Sequence, residues 1–217
     1  MTNSTAWNDE ATRRVRIAAR ATALAVALAA SLPLIARADN VTPPPVPTDL
    51  QVEAGNKAFL VGHAVGTQNY ICVPAGTGVA WTLFTPQATL FSDDDKQLIT
   101  HFFSPNPFED GTIRATWEHS RDTSTIQARA IHQATSLTDP TFVRPGAIPW
   151  VLLKAAVGGA QVGPTGGDTL AKTTFVQRLN TDGGVAPATG CSVATDVGAK
   201  AFMPYTADYF FYSQDAE

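Results

Sequence analysis

Lys172-Thr173-Thr174-Phe175-Val176-Gln177-Arg178-Leu179-Asn180-Thr181-Asp182-Gly183-Gly184 decides the fold together with Pro204-Tyr205-Thr206-Ala207-Asp208-Tyr209-Phe210-Phe211-Tyr212. The first stretch alternates apolar and polar side chains from Thr173 to Leu179, the period of a half-buried strand. Asn180 to Gly184 reads as a turn. The second stretch is an aromatic strand, and Cys191, one of only two cysteines, lies between them. In an exported chain Cys191 has one intrachain partner, Cys72, so the segment 172–212 is expected to close the end of a domain onto its beginning.

Working outward, the same period recurs. Residues 58–74 read as two short strands around a polar turn at Gly66, Thr67, Gln68 and Asn69. Val79 to Phe91 is strand-like, with Trp81, Leu83, Ala88, Leu90 and Phe91 as candidate core and Pro86 marking a bulge or an edge. Leu98 to Phe103 follows a polar turn at Ser92 to Lys96, and Ser104 to Thr112 reads as a loop. Thr112 to Trp117 and Thr125 to Ile131 form a hairpin around a charged turn. Trp150 to Val157 is an apolar run bounded by Pro149 and Gly158, read as a strand because it is short. Gly158 to Gly167 is a glycine loop, and strands at 172–179 and 201–212 end the chain. No helical stripe stands out beyond residue 38. About eight to ten short strands with frequent turns predict a mainly β, single-domain antiparallel β-sandwich or barrel.

The 217 residues suffice for one domain, and 44% hydrophobic with 16% charged residues is a globular composition. Residues 1–38 read as a helical secretory signal peptide. Arg13, Arg14, Arg16 and Arg20 form its basic end, Ala21 to Ile35 its apolar core, and Ala36-Arg37-Ala38 its cleavage site. Thr12 to Ile17 loosely resembles a twin-arginine signal, and Sec export is the default. Residues 39–49, with Pro43, Pro44, Pro45 and Pro47, are expected as an extended linker, and 50–217 as the β domain. The expected location is the periplasm or the medium, with no stable membrane span after signal cleavage. Removing the leader's five bases and two acids leaves ten bases against seventeen acids. That balance argues against a nucleic-acid partner, because phosphate contacts need clustered Lys or Arg.

The chemistry-bearing residues are sparse. His63 and His101 lie in apolar runs and are the weak candidates for a metal ligand, but no H-E-x-x-H or close H-x-H spacing accompanies them. His101 with Trp117 and Glu118 could line a polar pocket, with His101 and Glu118 as the only catalytic candidates. Arg178 and Asp208 are read first as a structural ion pair or as hydrogen-bond donor and acceptor to turn backbone, and second as a ligand anchor. Cys72 and Cys191 are expected as a disulfide, closing a loop of about 120 residues.

Several stretches together resemble the DUF3455 family of secreted bacterial and fungal proteins. They are Tyr70-Ile71-Cys72, Pro86 to Leu90 after Trp81, His101 followed by a proline-containing loop, Trp117-Glu118, Ala147 to Ala155, Gln177 to Pro187 ahead of Cys191, and Pro204 to Tyr212. The region 104–116 departs from the family pattern. The resemblance carries no established activity. The dehydrogenase label of some relatives finds no support here, because no G-x-G-x-x-G lies between a strand and a helix. The expected function is a non-enzymatic periplasmic or extracellular binding or envelope-associated domain, without a cofactor, whose partner is a small ligand or an envelope component. The alternative is a metal- or carboxylate-dependent hydrolase with its site near His101 and Glu118.

Overall fold

The computed structural model describes residues 41–214. The proposed leader lies outside the described residues, as do the first residues of the proline-rich stretch. Eight strands among the described residues close into an antiparallel barrel in which every strand pairs with its sequence neighbours. They are β1 (Asn56–Ala75), β2 (Gly78–Phe91), β3 (Gln97–Asn106), β4 (Thr112–His119), β5 (Thr125–Ala134), β6 (Trp150–Gln161), β7 (Phe175–Gly183) and β8 (Lys200–Gln214). Of the two architectures open from sequence, the barrel is the one formed. Closure removes both sheet edges.

The closing ladder is the β1–β8 pair, which runs from Asn56 opposite Gln214 to Ile71 opposite Lys200. Residues 172–212 therefore do join the end of the domain to its start, and the Cys72–Cys191 disulfide reinforces the seam. Local expectations are corrected at four places, two of them strand ends: β3 runs on through residues 104–106 and β6 through residues 158–161, both expected as the start of loops. Residues 58–74 form one continuous strand rather than two, and Gln68 and Asn69 are buried inside it. Residues 180–183 continue β7 rather than turning, with Asn180 in the left-handed region (φ 52°) at a register shift between Leu179 and Asp182. The continuity of β1 has a local cause in Gly66. A Cβ there would stand 2.2 Å from Gln87 O and 2.5 Å from Ala88 Cα, so only glycine lets β2 approach so closely.

Pro86 does sit near an irregularity. The β1–β2 register shifts between Asn69 and Tyr70, which leaves Phe84 as the extra residue of β2. Pro86 lies past the end of the β2–β3 ladder, which stops at Ala88 opposite His101, so its missing N–H breaks no bond to β3.

The barrel has two apolar regions of different origin. Inside lies a cluster that includes Leu90, Ile99, Trp117, Ile126, Tyr209 and Phe211. At one end Leu170, fully buried, closes the lumen from the β6–β7 connection. That connection is pinned by Asp122, whose carboxylate accepts from Ser124 N and Oγ (3.0 and 2.7 Å) and from Thr169 N and Oγ1 (3.1 and 2.5 Å). Outside β6–β8 a second cluster forms around Trp150, Leu152, Phe175, Leu179 and Phe210. Residues of the proline-rich stretch help cover it. Val41 and Val46 pack against it, Leu50 is fully buried in it, and Gln177 Nε2 donates to Leu50 O (2.6 Å).

At the opposite end from Leu170, β1 and β2 stay paired up to Ala75 opposite Gly78, well beyond their neighbours. This tall wall is strapped by the β7–β8 connection. Trp81 Nε1 donates to Thr189 O (3.1 Å), Tyr70 OH to Gly184 O (2.8 Å) and Cys72 N to Ala199 O (2.9 Å).

Candidate functional site in the barrel lumen

A cavity of about 360 Å³ occupies the lumen below the tall wall. Strand alternation decides which side chains reach it, because successive residues point to opposite faces. On β4, Trp117 turns inward and is fully buried, and the adjacent Glu118 falls on the outer face and is absent from the cavity wall. On β3, His101 turns inward opposite Trp117. The pocket of His101, Trp117 and Glu118 expected from sequence is therefore split. His101 and Trp117 come together, with ring centroids 4.3 Å apart and planes 8° from parallel, while Glu118 stands across the sheet from them.

Arg178 and Asp208 are divided by the same rule. Their strands are neighbours, but Arg178 pairs across the ladder with Tyr209, and Asp208 pairs with Leu179. Arg178 lines the lumen, where its Nε and Nη2 donate to Pro149 O (3.2 and 2.9 Å). Asp208 lies on the outer face, where it accepts from Asn180 Nδ2 (2.8 Å) and from His63 Nδ1 (2.7 Å). Of the two structural readings, the ion pair between them is not formed, and Arg178 instead donates to backbone of the β5–β6 connection. His63 Nε2 reaches Asp93 Oδ1 at 2.8 Å, so His63 bridges two carboxylates, one on each ring nitrogen. Burial lowers its pKa, but the two carboxylates outweigh that and raise it above the usual histidine value. Among the described residues no three His, Cys, Asp or Glu side chains converge as a metal site.

His101 is a different histidine. Burial pushes its pKa down to about 3, and the Arg178 charge adds to the fall against the raising effect of its bond to Thr116 O. Its Nδ1 lies 2.8 Å from that carbonyl. A carbonyl only accepts, so Nδ1 carries the proton and Nε2 keeps a lone pair. The floor of the cavity is thus a neutral imidazole stacked on an indole, with the Tyr209 ring 5.2 Å from His101 and 5.6 Å from Trp117. Burial raises the pKa of Tyr209 and of its neighbour Tyr205, whose hydroxyls are 3.2 Å apart, so both phenols are neutral.

The wall above this floor is apolar on β2, β3 and β6, through Leu83, Phe103, Val151 and Leu153. Its charged residues are Arg114, Arg129 and Arg178, with no Asp or Glu on the lining; by alternation Arg114 falls on the same side of β4 as Glu118, at the edge of the cavity, whereas Arg178 falls in the inward set with Tyr209. Arg114 is neutralised by Glu109, which it grips through Nε and Nη2 at 2.7 and 2.8 Å. Arg178 contacts no carboxylate among the described residues. Two buried donors on the lining are also without a hydrogen-bond partner, Trp117 Nε1 and Gln68 Nε2. The Gln68 amide is near enough to the Tyr205 hydroxyl to temper that phenol's raised pKa, but not in hydrogen-bonding geometry with it.

Sequence reasoning missed Gln68, Tyr209, Arg114 and Arg129 as lining residues. Gln68 had a usable signal, since it falls in step with the small inward residue Ala64 on the same strand. The signal was hidden by reading residues 66–69 as a turn.

The molecule is a closed, eight-stranded antiparallel barrel with a partly empty lumen, the class whose interior either fills with side chains or holds one small ligand. The family model described as a protein of unknown function (DUF3455) matches residues 53–213, and the chain belongs to that family. That span runs from just before β1 to the end of β8, so the family unit is the barrel itself. No curated protein and no solved structure matches the chain. The Cys72–Cys191 disulfide is formed, and no helix among the described residues is long and apolar enough to cross a membrane.

Proposed function

We propose that this chain is an exported binding domain whose barrel lumen takes one small molecule. The observation that carries the reading is the 360 Å³ cavity, which falls within the usual size of small-molecule sites and combines apolar walls with a few polar groups. Unpartnered donors support it further. A buried indole N–H or amide without a partner costs about 1–3 kcal/mol, and a ligand acceptor would recover that. The export part of the reading rests on the basic and apolar leader and on the disulfide, which persists in oxidising compartments. The hydrolytic alternative loses its proposed pair, because His101 is inside the barrel and Glu118 is outside.

The test is binding of a neutral solvatochromic dye such as Nile red, compared between the wild type and Ala130→Trp. Ala130 lines the mouth but is itself exposed, so a large ring there blocks entry without overfilling the core. The wild type is expected to bind one dye, and the variant to bind at least tenfold more weakly with an unchanged unfolding transition. Equal binding by both proteins would place the dye elsewhere and refute the lumen.

A further inference from the structure

We infer that the lumen ligand is a small amphipathic anion with a carboxylate head held by Arg178. This deepens the lumen-binding reading and rests on it. Three observations converge. First, Arg178 brings a permanent positive charge to a wall that carries no carboxylate, and the acceptors it meets are neutral: the nearby Tyr209 hydroxyl and the single carbonyl oxygen of Pro149. A guanidinium has five donors in a planar fork, and Nε and Nη2 share that single oxygen. Second, the other unpartnered polar atoms among the buried lining groups are N–H donors, Trp117 Nε1 and Gln68 Nε2. Apart from the lone pair on His101 Nε2 and the Tyr209 hydroxyl, the polar groups named on this lining donate, and a donor-rich wall is the complement of an ionised carboxylate, which only accepts. Third, the groups that meet Arg178 internally carry no negative charge. Burial keeps the Tyr209 and Tyr205 phenols protonated, and Tyr209, opposite Arg178 on β8, offers it a neutral hydroxyl rather than a carboxylate.

The apolar walls set the rest of the ligand. Leu83 and Phe103 face Val151 and Leu153 across the cavity, so the body is a hydrocarbon chain or ring rather than a sugar or a peptide. The Trp117–His101 stack offers a flat floor to it.

The experiment compares octanoate with 1-octanol, which share a hydrocarbon body and differ in the charge of the head. Both are titrated calorimetrically into the full mature domain at pH 7.5. The wild type is expected to prefer octanoate by about tenfold or more, the range of a charge-assisted hydrogen bond. Arg178→Gln should weaken octanoate by about tenfold to a hundredfold and leave 1-octanol within about threefold. Arg178→Lys keeps the charge but loses the fork, and should fall between them. Equal affinity of acid and alcohol for the wild type overturns the inference. So does octanoate binding that survives Arg178→Gln, or the absence of octanoate binding at millimolar concentration. If Arg178→Gln does not fold, Arg178→Lys decides, and unchanged octanoate affinity in it overturns the inference. The failure of the anion inference is separable from that of the lumen reading. Nile red that binds the wild type and is blocked by Ala130→Trp leaves the cavity a ligand site even if octanoate shows no preference.

Discussion

Replacing both cysteines by alanine, Cys72→Ala/Cys191→Ala, removes a cross-link whose effect can be worked from its place in the chain. The bonded residues are 119 apart in sequence. In the chain-entropy treatment a loop of that size in the unfolded chain is worth about 5 kcal/mol at 25 °C. Alanine rather than serine is the right replacement at Cys72, because that side chain is fully buried and a hydroxyl there would add a desolvation cost of its own. The β7–β8 strap keeps its other ties in the variant, namely Trp81 to Thr189, Tyr70 to Gly184 and Cys72 N to Ala199 O. The native barrel should therefore survive, and the loss should lie mainly in the unfolded reference state. With a urea m-value of about 2 kcal/mol/M, a loss of about 3–5 kcal/mol moves the midpoint down by about 2 M. The thermal midpoint should fall by about 10 °C or more. Urea unfolding followed by circular dichroism measures it, with dithiothreitol-reduced wild type as a second route to the same loss. A midpoint shift under about 0.5 M with unchanged slope would refute the reasoning, because the cross-link would then constrain an unfolded chain already held compact.

Two titrating clusters give opposite pH signatures. His63 has a folded pKa raised by Asp208 and Asp93, so its stabilisation is complete below the unfolded value near 6.5 and disappears as pH rises through the folded value. His63→Ala should lower the urea midpoint at pH 5.5 and converge on the wild type at pH 9, and parallel curves would exclude the bridge as a source of stability. Asp122 loses some charge stability to burial, but four hydrogen bonds from Ser124 and Thr169 depress its pKa well below the carboxylate range. Its stabilisation is present above the unfolded value near 3.8 and is lost as pH falls through the folded one. Asp122→Ala should therefore flatten the acid limb of the stability curve and expose residues 163–170 to proteolysis at neutral pH, since Leu170 N also depends on Ser124 Oγ. Unchanged protease resistance in that segment would remove Asp122 as the clamp of the closed end.

The architecture was legible where alternation is uninterrupted. The closing seam, the β4–β5 hairpin and the Cys72–Cys191 link follow from periodicity, turn chemistry and cysteine count. It was not legible where polar residues occupy inward positions. Gly66, Thr67, Gln68 and Asn69 have turn composition, yet they are strand because Gly66 permits close approach and β8 supplies partners from far along the chain. Tertiary pairing overrode local propensity there. Asn180 to Gly183 misled in the same way, because the left-handed Asn180 is absorbed within the strand at a register shift. The covering of the outer face by Val41, Val46 and Leu50 was hidden behind four prolines, whose backbone stiffness says nothing about what their neighbours pack against.

The candidate site depends on parity more than on residue type. Glu118 and Trp117 are adjacent, as are Asp208 and Tyr209, and in each pair the acid falls outside and the aromatic inside. The outer acids are thereby used on the surface, where Asp208 holds His63 and Asn180. The inner positions that remain polar are His101, Gln68 and Arg178. A barrel selected only for stability would fill those positions with hydrocarbon, since a buried, unpaired charge costs several kcal/mol. His101 avoids that cost by staying neutral. Arg178 cannot lose its proton, and inside the barrel it meets only neutral acceptors, the Pro149 carbonyl and the Tyr209 hydroxyl. The lower half of the lumen, closed by Leu170 around Ile126 and Phe211, carries the packing that stabilises the domain. The cationic, donor-rich upper half contributes little to that packing, and its composition is best accounted for by an acceptor that arrives from outside.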